Sequence, residues 1–340
     1  MYYFKVLINL GGISEMGLTR REFIKLCMAS TAGVSMMSWL GPELKNIAHA
    51  SDGKPPVIWL QAASCTGCSI SCLNTVEPDI GAVLLDVISM RYHPNIMAGQ
   101  GELCGEIIDD VANSHHGKFV LVVEGGIPLK ENGGYCTIME KGHKELTVLE
   151  AVRTLSMSAA AVIAAGNCAS FGGIPAAAPN PTGVVPVSEV VKRAPVINLS
   201  LCPLHPDHLL GTIVHLLQYG LPDLDRYKRP KMFYPGPIHD SCPRREDFHN
   251  NVFAQFIGDD GCLAMLGCKG FIATSDCSKR LWNNSTNWCI DAGAPCHACS
   301  EPIYPDGCSP FYGLYPLNAK DKSKVTYPVV DPQVTEFISK

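Results

Sequence analysis

Six cysteines crowd residues 262–299 of this 340-residue chain, Cys262, Cys268, Cys277, Cys289, Cys296 and Cys299, and His239 and Cys242 precede them in HDSC. The stretch is rich in Gly, Asn and Pro and has few long apolar runs, a composition that suits folding around inorganic clusters. Thiolates at CxxC spacing, as at Cys296 and Cys299, bind one metal centre from a single turn, while more distant cysteines close it from other loops. Iron–sulfur clusters are therefore expected here.

The chain is long enough for two domains, one of them small. Formal charge is −5 overall, and residues beyond 50 hold 22 basic against 29 acidic side chains. An acidic body without a basic run argues against nucleic acid as a partner.

Residues 1–50 read as an export signal. Thr19-Arg20-Arg21-Glu22-Phe23-Ile24-Lys25 is a twin-arginine pattern, followed by a mildly apolar run from Leu26 to Leu40 and an AxA cleavage site at Ala48-His49-Ala50. That run is too short to span a bilayer. Met16, close before the twin arginines, is the expected true start, and the expected location is the periplasm. The twin-arginine route carries folded proteins, which suits one whose metal centres are assembled before export. Sixteen cysteines in an exported chain would otherwise suggest disulfides, and a disulfide framework stays as a rival. Residues 310–340 hold no long apolar run, so no carboxyl-terminal membrane anchor is expected.

From residue 55 to about 215, apolar β-rich runs alternate with helical patterns, the signature of an α/β domain with a parallel sheet. The clearest strands are 57–61, 119–123, 161–165 and 195–199. They run respectively into Cys65-Thr66-Gly67-Cys68, Glu124-Gly125-Gly126, Gly166-Asn167-Cys168 and Cys202-Pro203. Open α/β sheets bind ligands at the carboxyl ends of their strands. Cys65, Cys68, Cys168 and Cys202 are therefore expected to share one cluster, with Gly67, Gly166, Gly172 and Gly173 letting backbone pack closely on it. After Leu221 the pattern breaks into short turns, so the expected domains are 51–220 and 221–340.

A second set of ligands is His239, Cys242, Cys262 and Cys268, since an imidazole can replace one thiolate on a cluster iron. Cys277, Cys289, Cys296 and Cys299 make a third. Cys72, Cys104, Cys136 and Cys308 are expected to be buried or free thiols. Zinc is the competing metal, but the α/β domain has no evident need of a closed structural site. Several clusters in one chain make better sense as an electron path.

With these motifs in order, the chain resembles the small subunit of exported nickel–iron hydrogenases over essentially its whole length. The resemblance rests on the twin-arginine segment, CTGC, EGGIP, GNCASFGG, CPLHPD, HDSCPR, GCLAMLGCKG and the final CxxCSEP. It implies a flavodoxin-like amino-terminal domain with a proximal 4Fe-4S cluster on Cys65, Cys68, Cys168 and Cys202. It also implies a smaller, loop-rich iron–sulfur domain, with a distal 4Fe-4S cluster on His239, Cys242, Cys262 and Cys268 and a medial cluster on Cys277, Cys296 and Cys299. The implied partners are a large subunit that bears the nickel–iron site and, as electron carrier, a periplasmic multihaem cytochrome c. Hydrogen chemistry then belongs to the partner and electron relay to this chain.

Many family members have proline where this chain has Cys289. A fourth thiolate suggests a 4Fe-4S medial cluster, in place of the 3Fe-4S type expected if Cys289 is not a ligand. Together with the KRLWNNSTNWC spacing, it is similar to the nickel–iron–selenium subgroup. Gly67 and Gly173 stand where oxygen-tolerant members add two cysteines, so the six-cysteine proximal cluster is not expected. Leu201 stands where the family usually has Gly, and Ser64 where many members have an acidic residue or Gly. Glu124 is a candidate for a role near the subunit interface or for capping a Gly turn. His208 and His215, in a helical segment, read as core or surface residues. A standalone multi-cluster electron carrier is the alternative function; it predicts a polar surface on the amino-terminal domain.

Overall fold

Short runs dominated by Val, Ile, Leu and Ala form the central sheet, because residues buried on both faces need no polar alternation. The computed structural model describes residues 54–76, 78–99 and 101–312. The export signal expected at 1–50, including Met16 and Cys27, and the tail from 313 lie outside the described residues.

The sheet comprises β1 (Pro56–Gln61), β2 (Ser89–Tyr92), β3 (Val120–Glu124), β4 (Ala161–Ala165) and β5 (Val196–Leu199). All pairs are parallel, in the order β2-β1-β3-β4-β5. This is the flavodoxin-like order, with its switch point between β1 and β3. The four strands expected from sequence are present to within a residue at each end. β2 is the addition: Ser89-Met90-Arg91-Tyr92 is an edge strand, half-buried over most of its length, with no apolar run to mark it.

Helices α1 (Gly67–Leu73), α2 (Glu102–Ser114), α3 (Val148–Leu155), α4 (Gly166–Phe171) and α5 (Pro206–Tyr219) connect or follow the strands. Successive strand residues point to opposite faces, and the core divides accordingly. Val57, Trp59, Val122, Ile163 and Ile197 pack on one face with Leu209, Leu210, Ile213 and Val214 of α5. Ile58, Leu60, Leu121, Val123 and Val162 pack on the other with Ile108 and Val111 of α2 and Val152 and Leu155 of α3.

Beyond α5 the chain is loop-rich, with single helical turns such as Ile238–Ser241, Leu263–Leu266 and Cys277–Arg280. Its apolar centre is small and cysteine-laden: Ile238, Leu263, Ile272, Trp288 and Ile290 pack with Cys268, Cys277, Cys296 and Cys308. Leu201, from the end of β5, belongs to this same cluster. The bulky residue at that position is thus a hydrophobic plug between the sheet and the loops.

Polar contacts complete the junction. Asn167 Nδ2 donates to the carbonyls of Cys299 and Glu301, both at 3.0 Å, and Ser200 Oγ to that of Ser300 at 2.8 Å. Arg229 is 3 % exposed. It donates through Nε to Asp225 at 2.7 Å and through Nη1 to Glu301 Oε1 at 3.1 Å. Removing one member of a buried ion pair strands the others and costs about 3–5 kcal/mol. Arg229→Ala is expected to lower the thermal unfolding midpoint of the assembled protein clearly, whereas exposed Arg193→Ala leaves it unchanged.

Candidate metal centres

The strand ends deliver the first cysteine set. After β1, Ala62 N–H donates to the Glu124 carbonyl at 2.7 Å and Ala63 N–H to that of Gly126 at 3.0 Å, holding the chain to the rim as it approaches Cys65. Thr66 turns through the left-handed region (φ 66°) and α1 begins at Gly67, with Cys68 in its first turn. Cys168 lies in the first turn of α4, and Cys202 follows β5.

The four thiols lie within electrostatic reach of one another. Burial pushes Cys168 up to about 12, with Cys202 and Cys65 adding to the shift. Burial also raises Cys202, again with Cys65 adding. Cys68 is driven well above the ordinary thiol range by burial, then by Glu124 and, more weakly, Cys72 and Cys168. Cys65 is the exposed member.

Glycines make the close approach possible. Gly166 has φ +85°, and a Cβ there would run into Cys68 Sγ. A Cβ at Gly67 would sit 3.1 Å from Cys65 Sγ, and one at Gly173 (φ +49°) 2.9 Å from the Cys168 backbone. Gly172 differs from the expectation: its added Cβ would meet Ala176 at 2.6 Å, so it serves the α4 exit and not the cluster cradle.

Glu124 is 1 % exposed. Its carboxylate accepts from Cys68 N–H at 3.0 Å, Trp59 Nε1 at 3.1 Å, Gln61 Nε2 at 3.3 Å and Ser69 Oγ at 2.5 Å. In the folded chain it braces the Cys68 turn from inside, and it does not present a charge at the surface.

The third set lines a cavity of about 380 Å³. Cys277, Cys289, Cys296 and Cys299 all face it, along with Leu201, Cys202, Trp288 and Tyr304. Trp288 Nε1 and His297 Nε2, in the same wall, are buried without a protein partner. Burial pushes Cys277 up to about 12 and raises Cys296 and Cys299 well beyond the ordinary range. Cys289 adds to all three shifts, so it stands among them electrostatically.

In the second set, burial pushes Cys242 up to about 11, and Cys268 and Cys262 add to the shift. His239 joins them through its surroundings. Its ring lies 4.2 Å from that of Phe271 and 5.1 Å from that of Phe248, the two aromatics that also pack on Cys262. Burial lowers the imidazole to about 4, reinforced by Arg245. It is thus neutral at ordinary pH, the form that binds a metal.

All fifteen described cysteines are free thiols. Among the described residues, no three His, Cys, Asp or Glu side chains converge tightly enough for one metal ion. A mononuclear zinc site draws its ligands to within about 2.0–2.3 Å of a single ion. Raised thiols gathered more loosely, the third set around a cavity, suit a multi-iron body, whose positive charge offsets the cost of holding several thiolates together. The residues fit iron–sulfur clusters.

Residues 65–216 match the family model described as NADH ubiquinone oxidoreductase, 20 Kd subunit, and residues 234–312 that of the C-terminal region of the NiFe/NiFeSe hydrogenase small subunit. The periplasmic [NiFeSe] hydrogenase small subunit of Desulfomicrobium baculatum is 42 % identical over 313 residues, spanning 87 % of this chain and 99 % of that protein. This chain belongs to the NiFe/NiFeSe hydrogenase small subunits. It is a component of a hydrogenase enzyme. The quinone-reactive Ni/Fe-hydrogenase small chain of Wolinella succinogenes is 40 % identical, over 88 % of this chain and 85 % of that one. The crystal structure of a reduced, active Ni-Fe-Se hydrogenase from D. baculatum superposes with a TM-score of 0.74 at 43 % identity, covering 77 % of this chain and 99 % of that chain.

Sequence reasoning missed several residues that shape these hydrogenase sites. Ser275 Oγ lies at hydrogen-bond distance, 3.2 Å, from Cys277 Sγ, and Tyr304 and Trp282 share the cavity wall with Cys202 and Cys277. A single aromatic or Ser carries no periodicity or spacing that would announce such a contact. The cradle gives a direct test. Gly166→Ala is expected to lose one cluster's iron, roughly four atoms, by metal analysis of the purified complex, while Gly236→Ala, where a Cβ meets nothing within 4 Å, keeps full iron.

Proposed function

We propose that this chain is the electron-relay subunit of a heterodimeric nickel–iron hydrogenase, of the nickel–iron–selenium type, exported folded to the periplasm by the twin-arginine route. Its partner is a large subunit bearing the nickel–iron site, and its outer electron carrier a periplasmic multihaem cytochrome c. Cys65, Cys68, Cys168 and Cys202 would hold a proximal 4Fe-4S cluster. Cys277, Cys289, Cys296 and Cys299 would hold a medial 4Fe-4S cluster, and His239, Cys242, Cys262 and Cys268 a distal one. When bound, each cluster takes up and gives back one electron at low reorganisation cost.

The observation that supports this reading is a chain of this family in which buried, raised thiols gather at the strand ends and run on through the loop-rich segment, Cys202 reaching Cys299 and Cys268 reaching Cys296. The residues around them exclude water and fix the ligands. Leu201 and Trp288 wall the third set, Phe271 and Phe248 shield the His239 ring, and Glu124 secures the Cys68 turn.

The amino-terminal surface favours a stable partner over a solitary carrier. Ile70 (55 %) and Ile174 (51 %) stand exposed near the first set's rim, on α1 and directly after Gly173, with Leu73 and Val76 next along the chain. Exposed apolar side chains along α1 and beside the Cys168 turn suit an interaction surface. Among the described residues no helix is long and apolar enough to cross a membrane.

Metal and sulfide analysis of the complex isolated from the periplasm through a tag on this chain tests the reading. About twelve to thirteen irons with one nickel are expected for three 4Fe clusters plus the catalytic partner. Iron without nickel would instead indicate a lone carrier, and an iron-free chain would return the cysteines to zinc or disulfides. The medial assignment has its own variant. Cys289→Pro is expected to lower the count by about one iron and to bring up the electron paramagnetic resonance signal of an oxidised three-iron cluster.

A further inference from the structure

Lys269 stands where the second and third cysteine sets meet. It directly follows Cys268, and its backbone N–H donates to the Cys296 carbonyl at 2.7 Å, so one residue ties a member of each set. The side chain turns inward and the residue is 3 % exposed. Nζ donates to the carbonyls of Gly267 at 2.9 Å, Phe311 at 3.0 Å and Pro310 at 3.4 Å. An ammonium has three N–H donors and no acceptor, so three carbonyls match its charged form. In a neutral amine the lone pair would face one of those oxygens. These partners are dipoles and not carboxylates, so they hold the positive charge without cancelling it.

The charge reaches selected thiols. Lys269 adjoins Cys268 in the chain and its backbone meets the Cys296 carbonyl, whereas the first set lies at the strand ends. A buried charge is little screened by salt and acts through a low-dielectric surround, and cluster potentials respond to nearby charge.

We propose that Lys269 is a potential-setting residue whose buried ammonium, held by the carbonyls of Gly267, Pro310 and Phe311, stabilises the reduced state of the distal and medial clusters and raises both their reduction potentials. The inference rests on the three-cluster reading above. A cation beside a centre that gains negative charge on reduction favours the reduced form, so removing it makes both centres harder to reduce.

The test uses the assembled complex, titrated potentiometrically and followed by electron paramagnetic resonance, with Lys269→Met and Lys269→Arg beside the unaltered protein. The iron count and the centres resolved in the unaltered protein test the three-cluster reading by themselves, before any variant is compared. Lys269→Met is expected to shift the distal and medial midpoints to more negative potential and leave the proximal one in place, with Lys269→Arg close to the unaltered protein. Unchanged midpoints in the Met variant, an equal shift at all three centres, or an Arg variant that behaves like Met would each overturn the proposal. Should the Met variant lose iron, Lys269→Gln takes its place. Iron loss in both neutral variants with normal loading in the Arg variant would reduce Lys269 to a clamp on residues 310–311, and would also overturn it.

Discussion

The cost of ionising buried thiols that lie close together is the constraint on which the rest of the structure depends. The fold gathers cysteines where burial and neighbouring sulfurs oppose their ionisation, with Cys168 and Cys277 each pushed up to about 12. Such a gathering is unfavourable unless something positive occupies the space between them. The loop-rich segment depends on this most. Its apolar cluster contains four cysteines among few large hydrophobics, so the chain beyond α5 has little core of its own to organise around. The sheet, by contrast, has apolar layers on both faces and can hold the first set as a rigid rim.

The rim geometry follows from strand order. A parallel sheet brings all its carboxyl ends to one edge, and the order β2-β1-β3-β4-β5 opens a crevice where β1 and β3 send their chains to opposite sides. Cys65 and Cys68 follow β1, Glu124 ends β3, Cys168 follows β4 and Cys202 follows β5. Residues far apart in sequence therefore meet through strand pairing alone. What the topology cannot supply is room, and Gly166 and Gly173 supply it at positive φ, where a side chain would be strained as well as obstructed.

This explains what could be read in advance. β3 and β4 are legible because they are buried on both sides and so are continuously apolar, while β2 is hidden because an edge strand needs no such run. The cysteine sets are legible because motif spacing and strand-end position are properties of sequence. Glu124 is not: its role depends on Trp59, Gln61 and Ser69 arriving from β1 and α1 to satisfy a carboxylate that is 1 % exposed. Lys269 is hidden for the same reason, since its partners at Pro310 and Phe311 lie some forty residues away. Gly172 shows the opposite error, because glycines in a run look alike until the backbone says which of them faces the sulfurs.

The buried charges complete the picture. Arg229 is matched by Asp225 and Glu301, and Arg280 by Asp276 and Asp207, so these groups largely cancel as seen from a distance. Glu124 and Lys269 differ, because neutral donors and carbonyl dipoles satisfy them without opposing their charge. Glu124 raises Cys68 and Cys72, whereas Lys269 lowers Cys268. On the proposed reading, the negative group sits beside the cluster at the sheet rim and the positive group beside the two in the loops. Fixed charges of this arrangement make an electron less welcome at the first position and more welcome at the next two. On that reading Glu124 and Lys269 bias the cluster at the sheet rim and those in the loops in opposite senses, and Cys289 would act on the third set alone.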